Sequence, residues 1–148
     1  GTDNGLDLWE LGTPVFGIDA AFSGDNVYGT DLDGAYPGAG GSSWLRSPAI
    51  DLTGQSAATL IFQEVRDSES GFDDVIINIL DANSPTTVLA ELSRRSGARL
   101  QWTERAFALP AEALGKSIIL EFVLFQSDEF QDIEQAGWLI DDVTVILE

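Results

Sequence analysis

Cysteine, histidine and methionine are all absent from this 148-residue sequence. Without cysteine there is no disulfide, so an extracellular fold must rest on its core, with a bound metal as the other available staple. Without histidine the commonest general base and the usual ligand of zinc, copper and iron are missing, which argues against those metals. Positive charge is also scarce. Seven Lys and Arg stand against 25 Asp and Glu, a formal net charge of −18, and none of the seven lies between Gly1 and Leu45. Such a surface repels phosphate backbones and anionic headgroups, so neither nucleic acid nor membrane insertion is expected. No apolar run approaches the ~18 residues of a spanning helix. The opening GTDNGLDLW lacks the basic start and apolar stretch of a signal peptide. The chain reads as one domain, residues 1–148, excised from a larger secreted or cell-surface protein and monomeric.

What is present is a strand-forming pattern over a 44% hydrophobic composition. β-rich runs alternate with clusters of Gly, Asp, Asn, Ser and Pro, predicting strands at Leu8–Gly12, Asn26–Thr30, Trp44–Ile50, Ala58–Val65, Asp74–Leu80, Thr87–Leu92, Leu100–Leu109, Ser117–Phe125 and Gly137–Leu147. Their spacing suggests an all-β, two-sheet antiparallel sandwich. Pro110–Lys116 could form one helical turn stopped at Gly115. Irregular loops are expected at Asp31–Ser43, Asp67–Asp73 and Gln126–Ala136, and loops of that length in a compact domain tend to carry function.

Several strands alternate visibly. Leu60 and Phe62 share one face while Ile61, Gln63 and Val65 share the other; Leu120, Phe122 and Leu124 line one face with Glu121 opposite. In the last strand Asp141 falls in the same set as Val143, Val145 and Leu147, so strict alternation aims it at the core. A carboxylate there would need donors or a cation, which points to calcium, a hard ion that takes oxygen ligands. Adjacent strand residues face opposite ways, so Asp142 is expected to cap a turn or pair with an arginine while Asp141 ligates. An EF-hand reading of Asp31-Leu32-Asp33-Gly34 fails, because it puts Tyr36 where glycine is required and Ser42 where the bidentate glutamate belongs.

The ordered signals Ser23-Gly24-Asp25-Asn26, Leu45-Arg46-Ser47-Pro48-Ala49-Ile50-Asp51-Leu52 and Gly137-Trp138-Leu139-Ile140-Asp141-Asp142-Val143, with Trp102 between the last two, resemble the MAM-like jelly-roll group. That group includes modules of bacterial secreted enzymes such as immune inhibitor A-type metalloproteases. The resemblance runs from about Trp9 to Val145, and the lack of cysteine favours its bacterial branch. It implies a jelly roll in an extracellular setting, a binding or adhesive role, and a structural Ca2+ near the closing strand. On that pattern Asp25 lies beside Asp141 as the second carboxylate, with Asp33, Asp19 and Asp31 in reserve.

Two binding themes remain. Tyr36, Phe72 and Phe130 sit in expected loops, and Trp44, Trp102 and Trp138 on or beside strands; exposed rings of this kind stack on pyranose faces, the alternative being core packing. Arg94, Arg95, Arg99 and Arg105 place four of the seven positive charges within twelve residues. Arg94 and Arg99 are candidates, with Tyr36, Phe72 and Trp44, for holding a glycan, the arginines suiting a uronate or sulfate; the alternative is pairing with surplus acids. Catalysis is not expected. Glu64 and Glu121 are the obvious carboxylate pair, but both read as ordinary polar-face residues, and a serine hydrolase would lack its histidine. The sequence therefore reads as a non-catalytic, calcium-binding and carbohydrate-binding accessory module of a secreted bacterial enzyme. The alternative is a structural or adhesive domain that contacts extracellular protein.

Overall fold

The structure, a computed structural model, describes residues 1–127 and 134–148. Ten strands follow in chain order: β1 (Trp9–Gly12), β2 (Val27–Thr30), β3 (Gly41–Arg46), β4 (Ile50–Asp51), β5 (Ala58–Asp67), β6 (Asp74–Asp81), β7 (Ser84–Arg95), β8 (Ala98–Ala108), β9 (Ser117–Gln126) and β10 (Gly137–Leu147). They build two sheets with antiparallel pairing throughout, ordered β1-β2-β10-β5-β8 and β3-β9-β6-β7, with β4 also pairing on β9. The sandwich expected from the strand pattern is the one observed. Among the described residues no helix is long and apolar enough to cross a membrane.

Where the strands differ from expectation, the backbone explains it. The run Trp44–Ile50 is divided into β3 and β4 because Pro48 has no N–H to give a ladder. Ser47 repairs the gap: its N–H donates to the Leu120 carbonyl at 2.9 Å and its hydroxyl accepts from the Leu120 N–H at 3.0 Å. The expected helical turn is a hydrogen-bonded turn, with the Ala113 N–H on the Pro110 carbonyl at 3.0 Å and Gly115 at φ 75°.

The core lies between the sheets. Leu60 and Phe62 of β5, Leu120, Phe122 and Leu124 of β9, Ile77 and Ile79 of β6, and Trp138 and Ile140 of β10 fill it. Its aromatics form a chain across the sandwich: Phe62 meets Phe122 edge-on at 5.4 Å, and Phe122 meets Trp138 at 5.6 Å. Such pairs add about 0.5–1.5 kcal/mol each beyond burial of their area. A smaller cluster of Val27, Leu32, Val65 and Leu139 occupies the outer face of the first sheet, under Ile18, Ala21 and Trp102.

Alternation in β10 is interrupted. Asp141 pairs with Gln63 but Thr144 pairs with Ile61, so one extra residue enters β10, and Asp142 sits at φ 49° within this bulge. Before the bulge the even residues Trp138 and Ile140 face the core; after it the odd residue Val145 does. The strict period that aimed Asp141 inward therefore fails. Asp141 shares its face with Leu139, on the outer side of the first sheet.

Candidate functional site

The outer face of the second sheet carries the most developed constellation. Cross-strand pairing sets Trp44 of β3 against Val123 of β9, and Val123 against Ile76 of β6; Arg46 stands opposite Glu121, and Glu121 opposite Asn78. Arg94 of β7 pairs with Ile76 and completes the row. These residues, with Phe125, line a shallow trough of ≈ 400 Å³. Phe125 is 37% exposed and gives the trough a second aromatic ring.

The polar groups of the trough are held rather than loose. Glu121, 6% exposed, accepts from Arg46 Nε at 2.7 Å and from Asn78 Nδ2 at 3.0 Å. The Arg46 guanidinium also lies 5.4 Å above the Trp44 ring, fixing the ring's orientation. Arg94 forks onto Glu91 at 2.8 and 3.1 Å and reaches Asp74 at 3.0 Å, bonds that raise its already high pKa. The trough thus joins two aromatic rings and two small apolar side chains to a fixed border of donors and acceptors.

Of the residues expected to bind ligand, Trp44 and Arg94 meet here. The others do not. Tyr36 is fully buried, so the loop ring expected to stack on a ligand is a core side chain. Its hydroxyl donates to Asp73 Oδ2 at 2.6 Å and accepts the Glu69 N–H at 3.1 Å, while Asp73 Oδ1 accepts the Ser127 N–H at 2.9 Å. Burial, then the Asp73 carboxylate, drive the phenol well above its ordinary pKa. Tyr36 therefore stitches loops together. Phe72 is 41% exposed but stands on the 67–73 loop, away from the trough. Phe130 lies outside the described residues. Trp138 is buried in the core, and Trp102 packs on the outer cluster, donating to the Ala20 carbonyl at 3.0 Å.

The arginine cluster is split by strand alternation. Arg94 faces outward, whereas Arg95 reaches into the gap between the sheets and holds Glu64 at 2.8 Å. Glu64 is 1% exposed, on the same face of β5 as Leu60 and Phe62, and also accepts from Trp138 Nε1 at 3.0 Å. It is no ordinary polar-face residue, contrary to the reading from sequence. Arg66 and Arg105 flank it at 3.9 and 3.8 Å. Arg99 is exposed at the same edge and is not part of the trough.

The candidate calcium ligands are only partly brought together. The bulge at Asp142 lets both neighbouring carboxylates reach Ser23: its N–H donates to Asp141 Oδ2 at 3.0 Å and its hydroxyl to Asp142 Oδ1 at 2.6 Å. This corrects the expectation that adjacent residues must part company. Asp25 is exposed, and Asp33 lies instead beside Asp31. Among the described residues no group of three or more acids is placed to hold a metal. Arg46, Asn78, Val123 and Phe125 were not singled out from the sequence; the available signal was the apolar outer set Val123 and Phe125 in a strand whose other set already fills the core.

No family model matches the chain. In sequence it is 33% identical over 145 residues to Bacillopeptidase F of Bacillus subtilis (strain 168), a match covering 98% of this chain and 9% of that protein. The chain thus spans under a tenth of its curated relative's length. Among solved structures it is similar to the K1 cleaved adhesin domain of Lys-gingipain from Porphyromonas gingivalis W83, with TM-score 0.60, 20% identity, and coverage of 95% of this chain and 83% of that one. It is also similar to TmCBM61 in complex with β-1,4-galactotriose, with TM-score 0.57, 13% identity, and coverage of 100% and 86%. A Family 16 carbohydrate-binding module follows at TM-score 0.51, 18% identity, and coverage of 98% and 89%. The chain is a two-sheet antiparallel jelly-roll β-sandwich, related in sequence to one segment of Bacillopeptidase F.

Proposed function

We propose that this domain binds a saccharide chain along the trough on the outer face of the second sheet, as a non-catalytic accessory module of a secreted bacterial enzyme. The observation that carries the reading is the pairing of two aromatic rings, half-buried at Trp44 and exposed at Phe125, with the hydrogen-bonded row Arg46–Glu121–Asn78. Ring faces cover the apolar face of a pyranose, and fixed polar groups meet its hydroxyls at little ordering cost. Jelly rolls of similar shape include TmCBM61, solved with β-1,4-galactotriose, which supports a sugar ligand on this architecture. Glu64 and Glu121 do not form a catalytic pair, because one lies between the sheets and the other on an outer face, so they cannot flank one glycosidic bond; this supports binding over catalysis. Within the jelly rolls, the likeness to MAM-like modules is supported by the three ordered motifs alone, and an extracellular location by the similarity to the relative in Bacillus subtilis.

Affinity electrophoresis against β-1,4-galactan, xylan and β-glucans tests the proposal. Retention by one of them, weakened about tenfold or more in Trp44→Ala and in Phe125→Ala, is the expected result. Silence across the panel overturns it in favour of an adhesive domain that contacts protein.

Structural calcium is proposed at the Ser23 turn, supported by the convergence there of the Asp141 and Asp142 carboxylates. Backbone carbonyls and water would complete a shell of six to eight oxygens, as suits a weak extracellular site. Calcium would then raise the melting temperature and EDTA reverse it; a transition unmoved by both removes the metal.

A further inference from the structure

A second constellation lies away from the trough, where the edge strands β7 and β8 meet at the Ser96–Gly97 turn. Arg66, Arg95, Arg99 and Arg105 gather there around Glu64. Four of the chain's seven basic residues thus occupy one spot in a protein with 25 acids. The charges acting on Arg66 are Arg95, Glu64, Arg105 and Arg99; those acting on Arg105 are Arg95, Glu64 and Arg99. Among the described residues four guanidiniums face one carboxylate, a local charge of +3. One buried carboxylate needs one or two guanidiniums, and Arg95 already satisfies it through bonds of 2.8 and 3.1 Å.

Three of the four arginines are also anchored in a common way. Arg66 donates through Nε to the Gly97 carbonyl at 2.9 Å, Arg95 through Nε to Ser93 Oγ at 3.1 Å, and Arg99 through Nε to Thr103 Oγ1 at 2.9 Å. Arg105 lies 5.3 Å over the Phe107 ring. In Arg66 and Arg99 anchoring through Nε leaves the terminal nitrogens to meet something else, while Arg95 Nη2 is taken by Glu64. Arg66 Nη1 and Arg105 Nε are buried with no hydrogen-bond partner among the described residues; Glu64 stands too far from either, at 3.9 and 3.8 Å. A buried donor without an acceptor is costly, and so are like charges at a part-buried edge.

We propose that Arg66, Arg95, Arg99 and Arg105 form a binding site for one small oxyanion, a sulfate or a carboxylate, free or carried by an acidic sugar. The oxyanion cancels the surplus charge and gives the orphaned N–H groups their acceptor, the geometry for which guanidinium forks are suited. Burial first, then the Arg95 charge, lower the pKa values of Arg66 and Arg105, as expected of cations lacking a full set of counter-charges.

The test titrates millimolar sodium sulfate, and separately sodium glucuronate, into the 148-residue chain at constant ionic strength set with sodium chloride, following the melting temperature. A saturable rise of about 2–4 °C is expected. Arg99→Gln, at an exposed side chain, should melt as the parent does in chloride, and Arg99→Gln and Arg105→Gln should each need about tenfold more anion for the same rise above their own melting temperatures in chloride. Trp44→Ala should respond as the parent does, which separates this site from the trough. A rise with sulfate alone assigns a tetrahedral anion, and one with glucuronate assigns an acidic sugar. If neither anion gives a saturable rise, or if the rise persists undiminished in both arginine variants, the proposal fails and the arginines are an ion-pair network only.

Discussion

Replacing Glu64 by glutamine isolates what one buried carboxylate does for this fold. The substitution keeps the side chain's shape and one oxygen acceptor, but removes the only negative charge among the described residues that acts on Arg66 and Arg105. It also sets an amide N–H2 against either Arg95 Nη2 or Trp138 Nε1, donors now 2.8 and 3.0 Å from a carboxylate oxygen. Removing one partner of a buried ion pair costs about 3–5 kcal/mol, because the other charges stay desolvated. Against a total stability of about 5–15 kcal/mol that is a large share. For a domain of this size it lowers the melting temperature by roughly 6–20 °C. The Glu91–Arg94 pair is the internal contrast, since its side chains are 42% and 47% exposed. Glu91→Ala should cost no more than about 1 kcal/mol, and less in high salt. Urea denaturation of both variants measures the two costs. A Glu64→Gln loss as small as that of Glu91→Ala would refute the reasoning.

Three other substitutions probe separate elements. Tyr36→Phe leaves Asp73 Oδ2 and the Glu69 N–H without their shared hydroxyl and should cost about 2–3 kcal/mol in urea denaturation; a loss below about 0.5 kcal/mol would show that the loops do not depend on it. Gly137→Ala places a methyl 2.0 Å from Thr30 Oγ1 at φ 86°, so a loss of at least about 2 kcal/mol is expected, and an unchanged melting temperature would contradict the packing at the start of β10. Asp31→Asn, at φ 57° where asparagine is tolerated, should stabilise by a few tenths of a kcal/mol at neutral pH. Burial first, then Asp33 and Glu10, raise the Asp31 pKa above its ordinary 3.8, so the folded state disfavours the charged form. The gain is therefore full above the raised folded pKa and fades as pH falls through it towards 3.8; a gain that grows on acidification would be the wrong sign.

Much of the fold is written in local patterns. Period-2 alternation in Leu60–Phe62 and Leu120–Leu124 marks core faces that the structure confirms, and Gly137–Leu147 is bounded as expected because glycine at φ 86° opens it. The inward placement of Glu64 was available from the same alternation, since it continues the set of Leu60 and Phe62. So was the parting of Arg94 from Arg95. Trp44 and Arg94 were legible as candidate ligand contacts by residue type alone.

What local pattern could not supply is phase and proximity. A single extra residue at Asp142 reverses which residues of β10 face the core, and alternation carries no mark of where a bulge falls. Tyr36 has the look of a loop aromatic until Asp73, 37 residues on, provides its buried partner. The trough draws on β3, β6, β7 and β9, and the arginine cluster on β5, β7 and β8, so neither exists until the sheets are paired. The sequence by itself determined that the chain forms strands and which side chains have the chemistry to bind. Only the tertiary structure decided which of them share a face, because register and sheet packing are set by contacts between residues distant in the chain.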